Sequence, residues 1–191
     1  MESVNILNEF PSINGITCDS RKVKPGYAFV AIAGYKKDGN NYIKNAIKKG
    51  ASVIITDKTN PEINNKIKVP VIKVKDARSY LGYFAADFYD HPSKKLKLIG
   101  ITGTNGKTTT THLIYNLLNF SHNYKTKSEM GNLKKEKIAG LIGTVNVDTG
   151  NKKIPGNLTT PSAVTLQQYL YEMVTTGLKY VCMEVSSHGI K

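Results

Sequence analysis

Residues Leu98 to Thr111 read Leu-Ile-Gly-Ile-Thr-Gly-Thr-Asn-Gly-Lys-Thr-Thr-Thr-Thr, and no other stretch constrains the fold as strongly. An apolar strand feeds a glycine turn, and Lys-Thr opens a helix. Glycines let successive backbone N–H groups curl inward around an anion, and the helix N-terminus adds its partial positive charge. Lys107 has the length to reach outer phosphates, and the Thr108 hydroxyl is suited to ligate Mg²⁺. The spacing departs from the common G-x-x-x-x-G-K-[ST] loop. That pattern needs glycine at position 101, where Ile101 stands; the loop here is the shorter Gly103-x-x-Gly106-Lys107-Thr108. The bland alternative is an ordinary strand-to-helix turn that happens to hold Gly and Lys. The strand before, the helix after and the Lys-Thr pair argue against it, so the expected ligand is a nucleoside triphosphate.

The flanking sequence alternates short β-rich runs with helical periodicity, the pattern of parallel α/β structure. Strands are expected at 27–33, 52–56 and 69–74, the last at an edge or a strand start because of Pro70. Helices are expected at 41–49, with Ile43, Ala46 and Ile47 on one face, and at 77–89, with Leu81, Phe84, Ala85 and Phe88 on one face. Residues 92–97 (Pro-Ser-Lys-Lys-Leu-Lys) read as a basic linker and place a domain boundary, giving domains 1–92 and 93–191. The second domain begins with a strand at 96–102 and a helix at 107–118 with Leu113, Ile114, Leu117 and Leu118 inward. Residues 121–137, with five lysines and two glutamates, show no clear period and read as an exposed excursion. One strand is expected over 138–147. Thr160 as N-cap and Pro161 in the first turn open a helix with Leu166, Tyr169, Leu170, Met173 and Val174 inward, stopped by Gly177. A strand over 180–185 runs into Ser186-Ser187-His188. About three strands and two helices in this part make a thin sheet.

Composition narrows the setting. In 191 residues, 27 Lys+Arg against 14 Asp+Glu leave a net charge of +13, and 40% are hydrophobic, enough for a core and against disorder. The lysines are scattered in ones and twos, not gathered with interleaved aromatics. Nucleotide phosphates therefore suit the charge better than nucleic acid. Cys18 and Cys182 are too few for a disulfide scaffold, the start lacks a signal-peptide pattern, and the apolar runs are too short to span a bilayer. The expectation is a soluble cytoplasmic protein with no nucleic-acid or membrane partner.

The loop Gly103-Thr104-Asn105-Gly106-Lys107-Thr108-Thr109 resembles the ATP-binding motif of the Mur ligases of peptidoglycan synthesis. Three further blocks narrow the resemblance to the MurE type, the UDP-N-acetylmuramoyl-L-alanyl-D-glutamate–amino acid ligases. They are Asp19-Ser20-Arg21 with Lys24-Pro25-Gly26, Phe29-Val30-Ala31, Gly34 and Asp38-Gly39; Thr159-Thr160-Pro161; and Met183-Glu184-Val185-Ser186-Ser187-His188. The resemblance implies a small N-terminal α/β domain binding the UDP substrate, then the first part of a P-loop-type ATPase domain with a mainly parallel sheet. It implies an ATP-dependent amide ligation. The D-Glu carboxylate of UDP-MurNAc-L-Ala-D-Glu takes the γ-phosphoryl group, and the amine of diaminopimelate or lysine attacks the acyl phosphate. It implies ATP held by Gly103, Thr104, Asn105, Gly106, Lys107, Thr108 and Thr109, and Mg²⁺ near Thr108 and Glu184. Lys107 and Glu184 become the catalytic candidates. Ser20 is implied at the uridine nucleotide, and Thr159, Thr160 and Ser186 at the muramoyl-peptide part. His188 reads as structural.

Departures stand beside the match. Ser162 occupies a position where the family has an acid, and 121–137 is longer and more polar than the usual connection. The family's later basic residue, its carbamylated lysine and its amino-acid-selecting site have no counterpart here. The resemblance therefore implies a portion of a longer enzyme, incompetent alone, with a separate chain as one source of the rest. Rival readings are a silent UDP-sugar- or ATP-binding module, half of a split enzyme, or a related amide ligase such as folylpolyglutamate or cyanophycin synthetase. The Asp19-Ser20-Arg21 block speaks against the last.

Overall fold

In the computed structural model the chain forms two compact units, Met1–Phe88 and Tyr89–Lys191. The structure describes residues 6–10, 12–34, 37–58, 69–130, 136–156 and 158–187.

The first unit is built on a four-stranded, all-parallel sheet in sequential order: β1 (Gly15–Thr17), β2 (Tyr27–Ala31), β3 (Val53–Thr56) and β4 (Val71–Lys73). A parallel strand covered on both faces reads as a continuous apolar run rather than an alternation. Tyr-Ala-Phe-Val-Ala and Val-Ile-Ile-Thr are such runs, and β3 is buried throughout. A short helix, α1 (Ile6–Glu9), precedes the sheet. Helix α2 (Ile43–Lys48), entered through a 3₁₀ turn at Gly39–Tyr42, buries Ile43 and Ala46 in a cluster with Val23, Phe29, Ala31 and Ile54. Helix α3 (Ala77–Phe88) also packs on β2 and buries Ala77, Leu81, Phe84 and Ala85. Pro70 sits one residue before β4, an edge strand, where its missing N–H breaks no ladder.

The second unit holds a five-stranded mixed sheet in the order β5-β9-β6-β7-β8. Strands β5 (Lys97–Ile101), β9 (Tyr180–Glu184) and β6 (Ala139–Ile142) are parallel, while β7 (Asn146–Asp148) and β8 (Lys153–Pro155) continue antiparallel. Helix α4 (Lys107–Met130) packs on β9 and β6. Helix α5 (Ala163–Thr175) buries Leu170 and Met173 against Ile142, Val147 and Val181. Each such side chain contributes about 1.5–3 kcal/mol by leaving water. Gly177, at φ 79°, ends that helix. Because α4 carries the chain from β5 past one strand position to β6, a slot opens that β9 fills. The carboxyl ends of β5, β9 and β6 thus stand side by side.

Several expectations are corrected here. Residues 92–97 are not a linker: Pro92–Lys95 form a 3₁₀ turn packed on α5, with Pro92 and Leu96 buried. Asp90 and His91, both at positive φ, make the sharp entry to it. Helix α4 runs to Met130, so the first part of the polar stretch is helical; 131–135 lie outside the described residues. Leu113 and Leu117 face solvent with Phe120 and Tyr124, while Thr111 is buried. Tyr115 and Asn119 reach partners on the sheet, while the buried Thr111 bonds back to Lys107 O within the helix; of the expected stripe Leu113 and Leu117 face out and Ile114 and Leu118 are half-buried. The strand expected over 138–147 is broken at 143–145 into a hairpin, with Gly143 N–H donating to Asn146 O at 3.0 Å. Among the described residues the second unit therefore has five strands rather than about three.

At the end of β7 the Asp148 carboxylate is almost fully buried. It accepts from Lys137 Nζ at 2.6 Å, Tyr115 OH at 2.9 Å and Gly150 N–H at 3.0 Å. Burial pushes its pKa up, but the Lys137, Gly150 and Tyr115 donors outweigh burial and hold it below the ordinary value. A depressed folded-state pKa means the stabilisation is complete above the unfolded value, about 3.9, and is lost as pH falls through the folded one. Denaturant titrations between pH 2 and pH 6 are expected to show an acid limb that flattens in Asp148→Asn; an unchanged limb would contradict this assignment.

Candidate functional site

Three chain segments meet at the carboxyl edge of the second unit's sheet, the end where open α/β sheets bind ligands. The first is the loop after β5. Gly103 (φ 145°) and Gly106 (φ 77°) adopt backbone angles that a side chain resists. An added Cβ would find its nearest neighbour at 3.6 Å and 4.0 Å respectively, so dihedral angle rather than crowding demands glycine here. Gly103, Thr104, Asn105 and Gly106 are exposed, and the loop opens directly into the N-terminus of the 24-residue helix α4. Lys107 folds back over the loop and donates from Nζ to Gly103 O at 2.7 Å and Thr104 O at 3.3 Å. An ammonium group tied, among the described residues, to loop carbonyls thus stands at the N-terminus of a long helix, a charge arrangement that attracts an anion.

The threonine run divides by helix geometry. Thr109 and Thr110 are exposed, and Thr111 turns inward to donate to Lys107 O at 2.7 Å. Thr108 points across to the second segment, the end of β9, and donates from Oγ1 to Glu184 Oε2 at 3.0 Å. Glu184 is only 1% exposed, so it is not a surface acid at a strand end. A buried carboxylate needs donors, and it has them: Thr108 Oγ1, Thr144 Oγ1 at 3.0 Å on Oε2, and Thr144 N–H at 3.1 Å on Oε1.

Thr144, in the third segment, is the residue that sequence reasoning missed. It lies in the turn after β6, inside the stretch read as an unbroken strand. The available signal was Gly143, since a glycine within a strand pattern marks a break or a close approach. A Cβ on Gly143 would stand 2.5 Å from Glu184 Oε1.

The structure also draws in the Thr-Thr-Pro block. Thr159 Oγ1 is 3.1 Å from Thr144 Oγ1. Thr160 Oγ1 accepts from Ser186 N–H at 3.0 Å and lies 3.1 Å from Ser186 Oγ. Thr160 is therefore not the helix cap. Ser162 is, with its side chain accepting from Thr165 N–H before the helix begins at Ala163. Pro161 biases Thr160 toward extended backbone, and the cap moves past the proline. An acid at 162 would cap that helix equally well. Thr108, Thr159, Thr160, Glu184 and Ser186 are thus brought into one hydrogen-bonded patch beside Lys107; His188 lies outside the described residues.

Ser20 belongs to the first unit. It lines a cleft of about 250 Å³ with Cys18, Asp19, Arg21, Lys37 and Tyr42. The Arg21 guanidinium forks onto Asp19, with Nη2 to Oδ2 at 2.8 Å, and holds that carboxyl down to about 2.

Comparison with known proteins adds a family. The description "Mur ligase family, catalytic domain" matches residues 12–89, and "Mur ligase middle domain" matches 101–191. A UDP-N-acetylmuramoyl-L-alanyl-D-glutamate--2,6-diaminopimelate ligase of Caldanaerobacter subterraneus subsp. tengcongensis is 42% identical over 178 residues, 93% of this chain and 33% of its own. Its counterpart from Clostridioides difficile is 40% identical over 192 residues, 100% and 36% respectively. The chain spans about a third of the length of these curated relatives. A solved structure of such a ligase superposes with a TM-score of 0.69 at 25% identity, over 92% of this chain and 32% of that one. A MurF ligase of Thermotoga maritima in complex with ADP, at 22% identity and TM-score 0.55 over 92% of this chain and 32% of its own, shares the fold.

The contact at Gly143 is testable. Gly143→Ala is expected to force the Glu184 carboxylate aside and to destabilise the second unit by about 1–3 kcal/mol, the usual cost of overpacking. Urea denaturation measures this, and an unshifted midpoint would show that the close approach carries no energetic weight.

Proposed function

The chain belongs to the Mur ligase family, and on that premise we propose that it carries the substrate-nucleotide domain and the phosphate-binding part of an ATP-dependent C–N ligase. In this reading residues 1–92 hold the UDP end of UDP-MurNAc-L-Ala-D-Glu, with Ser20 in the cleft. Residues 93–191 hold ATP through Gly103 to Thr109. The names of the relatives favour diaminopimelate over lysine as the amino acid added. The observation that carries the reading is the Thr108–Glu184 pair beside the glycine loop.

The chemistry follows from charge. A carboxylate and a triphosphate must approach each other, and both are anions. Lys107 and the loop N–H groups offset that repulsion and favour the charge spread over the phosphoryl oxygens as it transfers. The substrate carboxylate oxygen attacks the γ-phosphorus and ADP leaves. The incoming amine then attacks the acyl carbon and phosphate leaves. Thr159, Thr160 and Ser186 present hydroxyls suited to orienting the sugar-peptide end.

The donor set fits Mg²⁺. It is a hard-oxygen set of one hydroxyl and one carboxylate, with Thr108 Oγ1 and Glu184 Oε2 3.0 Å apart. Adjacent ligands of an octahedral ion at about 2.1 Å stand roughly 3.0 Å apart. Such an ion would be held by Thr108 and Glu184 and would supply charge neutralisation at the phosphate oxygens. Among the described residues no cluster of three or more His, Cys, Asp or Glu side chains offers a rival metal site.

Isothermal titration of the chain with ATP and Mg²⁺ tests the proposal. Wild type is expected to bind, and Lys107→Met, which keeps the stem but removes the charge, to lose about tenfold or more in affinity. Equal affinity in the two proteins, or no binding by wild type, would overturn it.

A further inference from the structure

Glutamate side chains end in a torsion that is broad and nearly two-fold, so a carboxylate plane turns unless both oxygens are tied. Thr108 ties one oxygen of Glu184. Thr144 ties both: its hydroxyl meets Oε2 at 3.0 Å and its N–H meets Oε1 at 3.1 Å. Its hydroxyl has a single proton. That proton can serve the carboxylate or Thr159 Oγ1, 3.1 Å away, and the charged acceptor is the stronger of the two. Thr144 thereby joins the Glu184 carboxylate to the Thr159–Thr160 segment.

The turn that presents Thr144 is held from two directions. Gly143 N–H donates to Asn146 O and Gly156 N–H donates to Val145 O, each at 3.0 Å. A Cβ on Gly156 would fall 2.2 Å from Gly143 O and 2.5 Å from Thr144 O, so the two backbones touch with no side chain between them. A turn packed this closely against a second strand keeps Thr144 from following the carboxylate if the carboxylate moves.

From these contacts we infer that Thr144 is a positioning residue for the cation-binding carboxylate. It sets the rotation of the Glu184 carboxylate so that Oε2 faces Thr108 at the spacing a small octahedral ion requires. The inference rests on the nucleotide-and-metal reading of the same site. Mg²⁺ demands near-ideal octahedral geometry and tolerates misplaced ligands poorly, which is why a residue that touches neither nucleotide nor ion can govern affinity.

The test compares wild type, Thr144→Val and Thr144→Ser by isothermal titration with ATP, once with Mg²⁺ and once with the metal chelated. Valine keeps the shape and the N–H but removes the hydroxyl. It is expected to weaken Mg²⁺-dependent ATP binding by about tenfold, the scale of one hydrogen bond to a charged group, and to leave metal-free ATP binding unchanged. Serine restores the hydroxyl and is expected to bind like wild type. The inference fails if valine retains wild-type affinity with Mg²⁺. It fails also if both affinities fall together, since that marks a collapsed site rather than a misaimed carboxylate. Should the valine variant not fold, Thr144→Ala against Thr144→Ser gives the same comparison. Wild type that binds ATP no better with Mg²⁺ than without would remove the parent reading and this inference with it, and the wild-type arm alone reports that outcome.

Discussion

The second unit is organised around a buried carboxylate with hydroxyl and amide donors and, among the described residues, no basic side chain paired to it. Taking Glu184 out of water without partners would be costly, and the donors that offset the cost come from two separate segments. One is the first turn of α4 and the other is the turn after β6, while the strand end that carries Glu184 is linked onward through Thr160 and Ser186. Satisfying this single group therefore pins the glycine loop, the hairpin turn and the Thr-Thr-Pro segment to one another. The strand order makes it possible, because β9 lies between β5 and β6 and delivers Glu184 between their ends.

A second buried acid makes a useful contrast. Asp148 is equally removed from solvent but is held by Lys137 as well as by Tyr115 and Gly150. Its charge is matched within the protein, which suits a structural tie between α4 and the hairpin. Glu184 keeps donors without a matching positive charge. Within the proposed function, that imbalance is what a cation between carboxylate and phosphate would redress.

Legibility followed the range of the interactions. The continuous apolar runs of β2 and β3, the stripe on α5 and the stop at Gly177 depend on local pattern, and they were readable. The glycine loop was readable too, because its requirement is a backbone dihedral that only certain residues satisfy. The leucines of α4 misled because amphipathic periodicity does not say which stripe the sheet will take. Here Tyr115 and Asn119 turn inward to reach Asp148 and the backbone of β6, and Leu113 and Leu117 are left outside. The cap at Ser162 and the break at Gly143 were missed because each depends on what the neighbouring segment presents.

By itself the sequence determined the classes of element and one piece of chemistry: an α/β chain with a phosphate-type loop, and threonines and an acid at named positions. Those follow from hydrophobic period, from glycine's dihedral freedom and from hydroxyl and carboxylate chemistry, all properties of a residue and its near neighbours. Only the tertiary structure decided that Glu184 is buried, that Thr108, 76 residues distant in the chain, donates to it, and that Thr144 holds both of its oxygens. Contacts between segments far apart in sequence are set by strand order and crossover. A carboxylate acquires its role from the donors that the fold carries to it, and a linear pattern does not encode them.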